Sequence, residues 1–134
     1  MIDDQLKRSF DSTEKALAAL EIAIAEPMLK SKLNIDGTIQ RFEFSIELFW
    51  KLLKRILAAK GVDAPFPRDV LEKAYAGHLI DDELVWLSML RDRNQTSHTY
   101  DEELASEIYA RVKTYYPVFK ATLDVLKKEY YRIK

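Results

Sequence analysis

The chain contains no cysteine and few of the residues that turn a polypeptide. Its 134 residues include 3 glycines, 4 prolines and 2 histidines. Without cysteine, disulfides and thiolate metal sites are excluded, and a reducing cytoplasm is the expected location. The scarcity of glycine and proline leaves few places for the chain to turn, which favours a small number of long helices.

The sequence also lacks a long apolar run and a large net charge. Charged residues interrupt every apolar cluster, so we expect no membrane-spanning helix, and the N-terminus does not read as a signal peptide. A net charge of −1 argues against broad electrostatic binding to nucleic acid but leaves room for a local phosphate site. The length and the 48% hydrophobic content predict a single domain over residues 1–134.

Helical periodicity is what the sequence does contain, and no segment alternates like a strand. The first stripe comprises Leu6, Phe10, Thr13, Leu17, Leu20, Ile24 and Met28, with Pro27 near its end. The second segment, residues 39–61, has one stripe made of Ile39, Phe42, Ile46, Phe49, Leu53 and Ile56, and another made of Phe44, Leu48 and Leu52. Two apolar faces must be covered from two sides, by the bundle or by another subunit. We expect Asp36 or Thr38 to cap this helix and Gly61 to end it.

Three further helices are predicted in the second half of the chain. A short one spans residues 68–76 and closes at Gly77, and another runs from about Asp82 to Gln95. In the latter we expect Leu84, Leu87 and Leu90 to face inward, flanked by Val85, Trp86 and Met89. The last helix runs from Tyr100–Asp101 to about Tyr130 along Leu104, Ile108, Val112, Tyr115, Phe119, Leu123 and Leu126, with a kink or a restart at Pro117. The prediction is an all-α, up-and-down four-helix bundle with one extra short helix and a kinked last helix.

Few residues can carry chemistry. His78 and His98 are twenty positions apart with no cysteine to assist them, so we expect no metal and no cofactor. Ser97 is adjacent to His98, so the two side chains diverge and cannot form a serine triad. Pairs of acidic residues open helices, where capping explains them, and no glycine-rich phosphate loop is present.

Arg93 and His98 remain, within the stretch RDRNQTSHTY at residues 91–100. An arginine can hold a phosphate, and a histidine can transfer a proton near neutral pH, which together suffice for metal-free RNA cleavage. Five residues along a continuous helix rotate by about 140°, so the pair works only if the helix ends first, near residues 95–97. Asn94 would then be a polar neighbour. The alternative is that Arg91 and Arg93 offset the negative end of a helix that His98 caps.

The segment RNQTSHTY resembles the Arg-Asn-x3-His-x-Tyr signature of the HEPN superfamily, specifically of the HepT-like toxins, which are also called nucleotidyltransferase substrate-binding proteins. The upstream segment IQRFEFSIELFWKLLKRIL resembles the second helix of that family. The resemblance covers nearly the whole chain, and it includes the late proline of the last helix.

This resemblance implies a helical-bundle homodimer in which the two signature segments face a shared cleft. It implies a metal-independent endoribonuclease, the toxin of a pair with an MNT-type nucleotidyltransferase antitoxin that silences it by transferring AMP to Tyr100. Arg93 and His98 become the catalytic pair, with Asn94 as polar support. The alternatives are a non-catalytic substrate-binding subunit of the nucleotidyltransferase, or a plain structural homodimer in which the signature only caps helices. For Tyr100 alone, the alternative is an aromatic side chain that packs at a helix start.

Two features of the second helix are interpreted structurally. Glu43, Glu47 and Lys51 follow one another at intervals of four, a ladder typical of an exposed helix face. Trp50 is expected in the core or in a dimer interface and not as a platform for stacking bases.

Overall fold

The computed structural model describes residues 3–26 and 32–131. In those ranges it contains five α-helices and no strand: α1 (Asp4–Ala25), α2 (Lys32–Ala59), α3 (Pro67–Ala76), α4 (Glu83–Gln95) and α5 (Glu102–Tyr130), with a 3-10 turn at Thr96–His98. The four long helices pack as an up-and-down bundle, to which the ten-residue α3 is added. The predicted fold class is confirmed.

The first helix follows the predicted stripe. The Asp3 side chain caps α1 by accepting the Leu6 N–H at 2.7 Å. The stripe residues Leu6, Phe10, Thr13, Leu17 and Leu20 are buried, and Ile24 is half-buried. Met28 and Pro27 lie outside the described residues.

The second helix begins earlier than predicted. It already includes Lys32, so neither Asp36 nor Thr38 caps it. Thr38 is buried inside the helix, where its hydroxyl donates to the Asn34 carbonyl at 2.8 Å. A threonine hydroxyl can satisfy itself on the preceding turn in this way, which is why a cap-forming residue type does not by itself mark a helix start.

The core is centred on the first stripe of α2, which is buried along its whole length. Phe49 contacts the Trp86 ring of α4 at 4.7 Å between centroids and the Phe119 ring of α5 at 5.6 Å. The second stripe divides, because Leu52 is buried, Leu48 is half-buried and Phe44 is 46% exposed. The described part of the chain therefore covers only one end of the second apolar face.

The inward face of α4 differs from the prediction. Trp86, Met89 and Asp92 are the buried residues of this helix, whereas Leu84 is 75% exposed and Leu87 and Leu90 are half-buried. The helix carries apolar residues on both sides, so its periodicity allows either face to be buried. The large Trp86 ring fits the aromatic cluster, Leu84 is left on the outer face, and Leu87 and Leu90 pack against the core with part of their surface exposed.

The last helix positions the other wall of the core. Asp101 caps it, and the predicted stripe from Ile108 to Leu126 is buried. The helix continues through Pro117 without a restart. Proline removes one backbone N–H and crowds the preceding turn, so a bend at this point stays a prediction.

Buried apolar residues from all five helices belong to one cluster. The single domain expected over residues 1–134 stays a prediction. None of the described helices combines the length and the apolar character that crossing a bilayer requires.

Candidate functional site

The helix α4 ends three residues before His98, within the predicted interval. Its C-cap is Thr96, whose backbone N–H and hydroxyl both donate to the Arg93 carbonyl, the hydroxyl at 2.7 Å. A single 3-10 turn follows, and Thr99 closes it by donating to the Thr96 carbonyl at 3.1 Å. Because Thr96 caps the helix, the alternative in which His98 is the cap is wrong.

His98 and Tyr100 are both exposed, and their rings meet edge to face with centroids 6.0 Å apart. Tyr100 is 83% exposed, so the alternative in which it packs at the start of α5 is wrong. That helix is capped by Asp101, whose carboxylate accepts the N–H groups of Glu103 and Leu104 at 3.1 and 3.2 Å. The phenol and the imidazole are therefore not needed to form the turn that carries them.

The guanidinium of Arg93 is held by Glu47, which was predicted to belong to a ladder of charges on an exposed helix face. Its terminal nitrogen forms a salt bridge with Glu47 of α2 at 2.8 Å, and the other oxygen of that carboxylate lies 3.8 Å from Lys51. The Arg93 side chain is 41% exposed, so it stays within reach of a ligand. The Glu47–Lys51 pair confirms part of the predicted ladder, but Glu47 also links α2 to the end of α4.

Arg93 and Asn94 line one surface hollow together. Its other lining residues are Glu47, Trp50, Phe66, Pro67, Arg68 and Leu90. Trp50 is half-buried and packs against the core, as expected. Tyr100 lies in a different hollow of about 300 Å³, which Ile35 and Asp36 of α2 also line. Within the described residues no hydrogen bond joins Arg93 to His98, so the structure groups Arg93 with Glu47 and His98 with Tyr100.

A buried network next to Arg93 fixes the last turn of α4, and sequence reasoning missed it. Asp92 is 1% exposed and accepts two hydrogen bonds from the Arg111 guanidinium, at 2.8 and 2.9 Å. The Tyr115 hydroxyl donates to the same carboxylate at 2.6 Å. Burial, and then the hydrogen bond to Asp92, raise the pKa of Tyr115 well above its usual value. The hydrogen bond to Asp92 likewise raises the pKa of Arg111.

One signal in the sequence points to this network. An aspartate in the last turn of a helix faces the negative end of the helix dipole, which disfavours it unless a cation binds it. Asp92 occupies such a position, and Arg111 is the cation.

No group of three or more histidine or acidic side chains is placed to hold a metal ion in the described ranges. The side chains that solvent can reach at the end of α4 include a guanidinium, an imidazole, an amide and a phenol. These groups can bind a phosphate, transfer a proton and accept a covalent modification.

Residues 8–128 match the family described as nucleotidyltransferase substrate binding protein like. The chain belongs to this family. Its HepT-like character is confirmed by a match to the probable ribonuclease HepT of Haemophilus influenzae, with 37% identity over 92 residues. That match covers 65% of this chain and 63% of the relative, so it spans less than two thirds of the relative's length.

Two solved structures share the fold of this member of the nucleotidyltransferase substrate-binding-protein-like family. A protein of Thermus thermophilus superposes with a TM-score of 0.79 at 37% identity, covering 86% of this chain and 98% of the other. A Haemophilus influenzae protein, described as showing the fold of a substrate-binding domain of a nucleotidyltransferase, gives a TM-score of 0.67 at 32% identity over 92% and 98% of the two chains.

Proposed function

We propose that this member of the family is a metal-independent endoribonuclease, the toxin of a pair with an MNT-type nucleotidyltransferase. The observation that carries the proposal is that the residues which form the turn after α4 differ from those which could do chemistry there. Thr96 caps the end of α4, Asp92 binds α4 to Arg111 of α5, and Asp101 caps the start of α5. The side chains of His98 and Tyr100 remain exposed, since His98 contributes to the turn through its backbone carbonyl, which accepts the Asp101 N–H at 3.1 Å, and Arg93 is accessible.

The cleavage uses the 2′-hydroxyl of the RNA itself. That oxygen attacks the neighbouring phosphorus, the bond to the 5′-oxygen breaks, and a 2′,3′-cyclic phosphate remains. His98 removes the proton from the 2′-hydroxyl or supplies one to the departing 5′-oxygen. Arg93 binds the scissile phosphate and stabilises the charge that grows on its oxygens, with Asn94 as a hydrogen-bonding neighbour.

One imidazole cannot act as base and acid in the same step, which favours a homodimer with two His98 side chains at one cleft. The outer face of α4 supports this arrangement, because Leu84 is exposed on it and the half-buried Leu87 and Leu90 continue from it toward the signature segment. We place the dimer interface on that face. The cytoplasmic location stays a prediction.

Silencing follows from the position of Tyr100. Its hydroxyl is accessible to a second protein, and its ring touches that of His98. An AMP group attached there adds bulk and negative charge beside the imidazole, and this repels an RNA phosphate. We infer that the partner nucleotidyltransferase transfers AMP from ATP to the Tyr100 oxygen, with pyrophosphate as the leaving group.

The two histidines provide a matched test of the cleavage. We expect His98→Asn to abolish cleavage of labelled RNA by the purified protein, measured in EDTA. His78→Asn should leave the rate unchanged, because His78 lies in the turn after α3 and asparagine tolerates its φ of 63°. Cleavage that survives His98→Asn, or that falls equally in both variants, would contradict the assignment.

The family description favours a second function, that of a non-catalytic subunit which presents a substrate to a nucleotidyltransferase. Incubation with the partner and α-labelled ATP separates the readings. We expect label on the wild-type chain and none on Tyr100→Phe, while Tyr75→Phe, an equivalent change at a 45% exposed tyrosine of α3, should keep it. Wild-type protein that leaves RNA intact when free of its partner would support the binding subunit instead.

A further inference from the structure

A groove of about 370 Å³ lies between α1 and α2, outside the signature segment. Its lining residues are Gln5, Arg8, Ser9, Ser12, Leu48, Lys51 and Arg55. Three of these seven are basic, and none is acidic. In a chain with a net charge of −1, such a groove is a local concentration of positive charge.

The groove has the donors that an anion requires. Arg8, Lys51 and Arg55 are all exposed, and the hydroxyls of two serines lie among them. Arg55 donates one N–H to the Gln5 side chain at 3.1 Å, which ties α2 to α1 and orients the guanidinium. An arginine has five N–H groups, so the oriented guanidinium can still bind phosphate oxygens.

The groove is continuous with the candidate site through one carboxylate. Glu47 contacts Arg93 at 2.8 Å on one side and Lys51 at 3.8 Å on the other. Lys51 and Arg55 follow Glu47 at intervals of four residues, so each lies about 6 Å further along the same face of α2. Arg93 and the groove residue Lys51 therefore share one carboxylate, and Arg55 lies one turn beyond Lys51.

We propose that the groove between α1 and α2 binds backbone phosphates of the RNA strand at nucleotides away from the cleaved bond. This inference rests on the proposed function for the identity of the strand. The contacts come from flexible cations and small hydroxyls, so they position the strand and carry no sequence preference. The continuity with Arg93 favours RNA over an acidic segment of a partner protein.

The test is the salt dependence of RNA binding in the His98→Asn background, which does not cleave. Fluorescence anisotropy with a labelled twelve-nucleotide single-stranded RNA gives the slope of log affinity against log salt. The double variant Arg8→Gln, Arg55→Gln should reduce that slope by about 1.4, since each phosphate contact on a single strand contributes about 0.7. This variant leaves the Glu47–Lys51 pair intact, so Arg93 keeps its partner.

A control double variant, Lys113→Gln with Lys120→Gln, removes the same charge from exposed positions of α5. It should keep the parental slope and affinity, and circular dichroism checks that both variants fold. An unchanged slope in the groove variant overturns the inference, as does a parent that binds no RNA. A groove variant that loses affinity for the nucleotidyltransferase but not for RNA also overturns it. If the wild type fails to cleave RNA while the slope still falls, the cleavage proposal fails and the groove stands.

Discussion

Asp92 fixes the position of the helix turn that carries Arg93, although its own side chain is buried away from the candidate site. The carboxylate anchors the last turn of α4 to Arg111 and Tyr115 of α5, and Arg93 follows it directly. We expect Asp92→Ala to lower the free energy of unfolding by about 2–3 kcal/mol. That is below the cost for a fully buried pair, because the Arg111 side chain is 38% exposed and can turn to solvent.

Urea denaturation measures this change. The control is Asp124→Ala, which removes a carboxylate whose partner Lys120 is exposed, and it should change stability little. Equal losses in the two variants would show that the Asp92 network does not hold the helix end.

Tyr115 gives this network a pH dependence. Burial and the hydrogen bond to Asp92 raise the pKa of the phenol in the folded protein above that of the unfolded chain. The unfolded chain therefore loses this proton first, so stability is fully present below about pH 10 and declines as the pH rises further. We expect Tyr115→Phe to cost about 1 kcal/mol at neutral pH and to flatten part of the alkaline decline. Urea titrations from pH 8 to 11 measure both effects, and a decline identical to that of the wild type would exclude Tyr115 as a source.

At the scale of the helices, two glycines should respond oppositely to alanine. Gly37 lies inside α2 with open space around the position of a β-carbon, so Gly37→Ala should stabilise the protein by up to about 1 kcal/mol. Gly61 lies just beyond the end of α2 with a φ of 80°, which L-residues rarely adopt. There alanine should destabilise by about 1 kcal/mol.

Thermal unfolding of both variants against the wild type measures these shifts. A Gly61→Ala variant that is more stable than the wild type would mean that the turn after α2 does not require the left-handed conformation. A Gly37→Ala variant that is less stable than the wild type would mean that α2 does not extend back to Lys32 in solution.

The helices themselves were predictable because their stripes repeat at one period over many turns. The C-terminus of α3 was predictable because glycine suits that position, which Gly77 occupies. The N-termini of α4 and α5 were predictable because aspartate is a good N-cap, and Asp82 and Asp101 occupy those positions. The start of α2 was not predictable, because a threonine can occupy the middle of a helix as well as its cap. The buried face of α4 was not predictable, because apolar residues occur on both sides of this helix.

The site was predictable in part. The residue types and spacing of the signature segment indicated where α4 must end, and the structure confirms that end. Sequence could not show that Glu47 holds Arg93, since the two are brought together only by the packing of α2 against α4. A pair of residues so far apart in sequence produces no local periodic pattern from which the contact could be predicted.

At the scale of the whole molecule, the outer face of α4 is an exposed apolar surface next to the candidate site. Leu84 is 75% exposed there, and Leu87 and Leu90 border a hollow of about 660 Å³ that extends to Arg91 and Asn94. An apolar face that leads into a candidate active site is suited to a second copy of the chain, which would bring two signature segments together.

We expect the wild-type protein to sediment as a dimer, and Leu84→Glu to sediment as a folded monomer with the helical circular-dichroism signal of the wild type, since this side chain contributes little to the core of one protomer. Val125→Glu places the same charge at a 60% exposed position of α5 and should keep the dimer. The monomer should also lose RNA cleavage, because base and acid then lie on separate molecules. A wild-type monomer, or a Leu84→Glu variant that remains dimeric, would place the contact elsewhere, and cleavage by a true monomer would require one His98 to serve both proton transfers in turn.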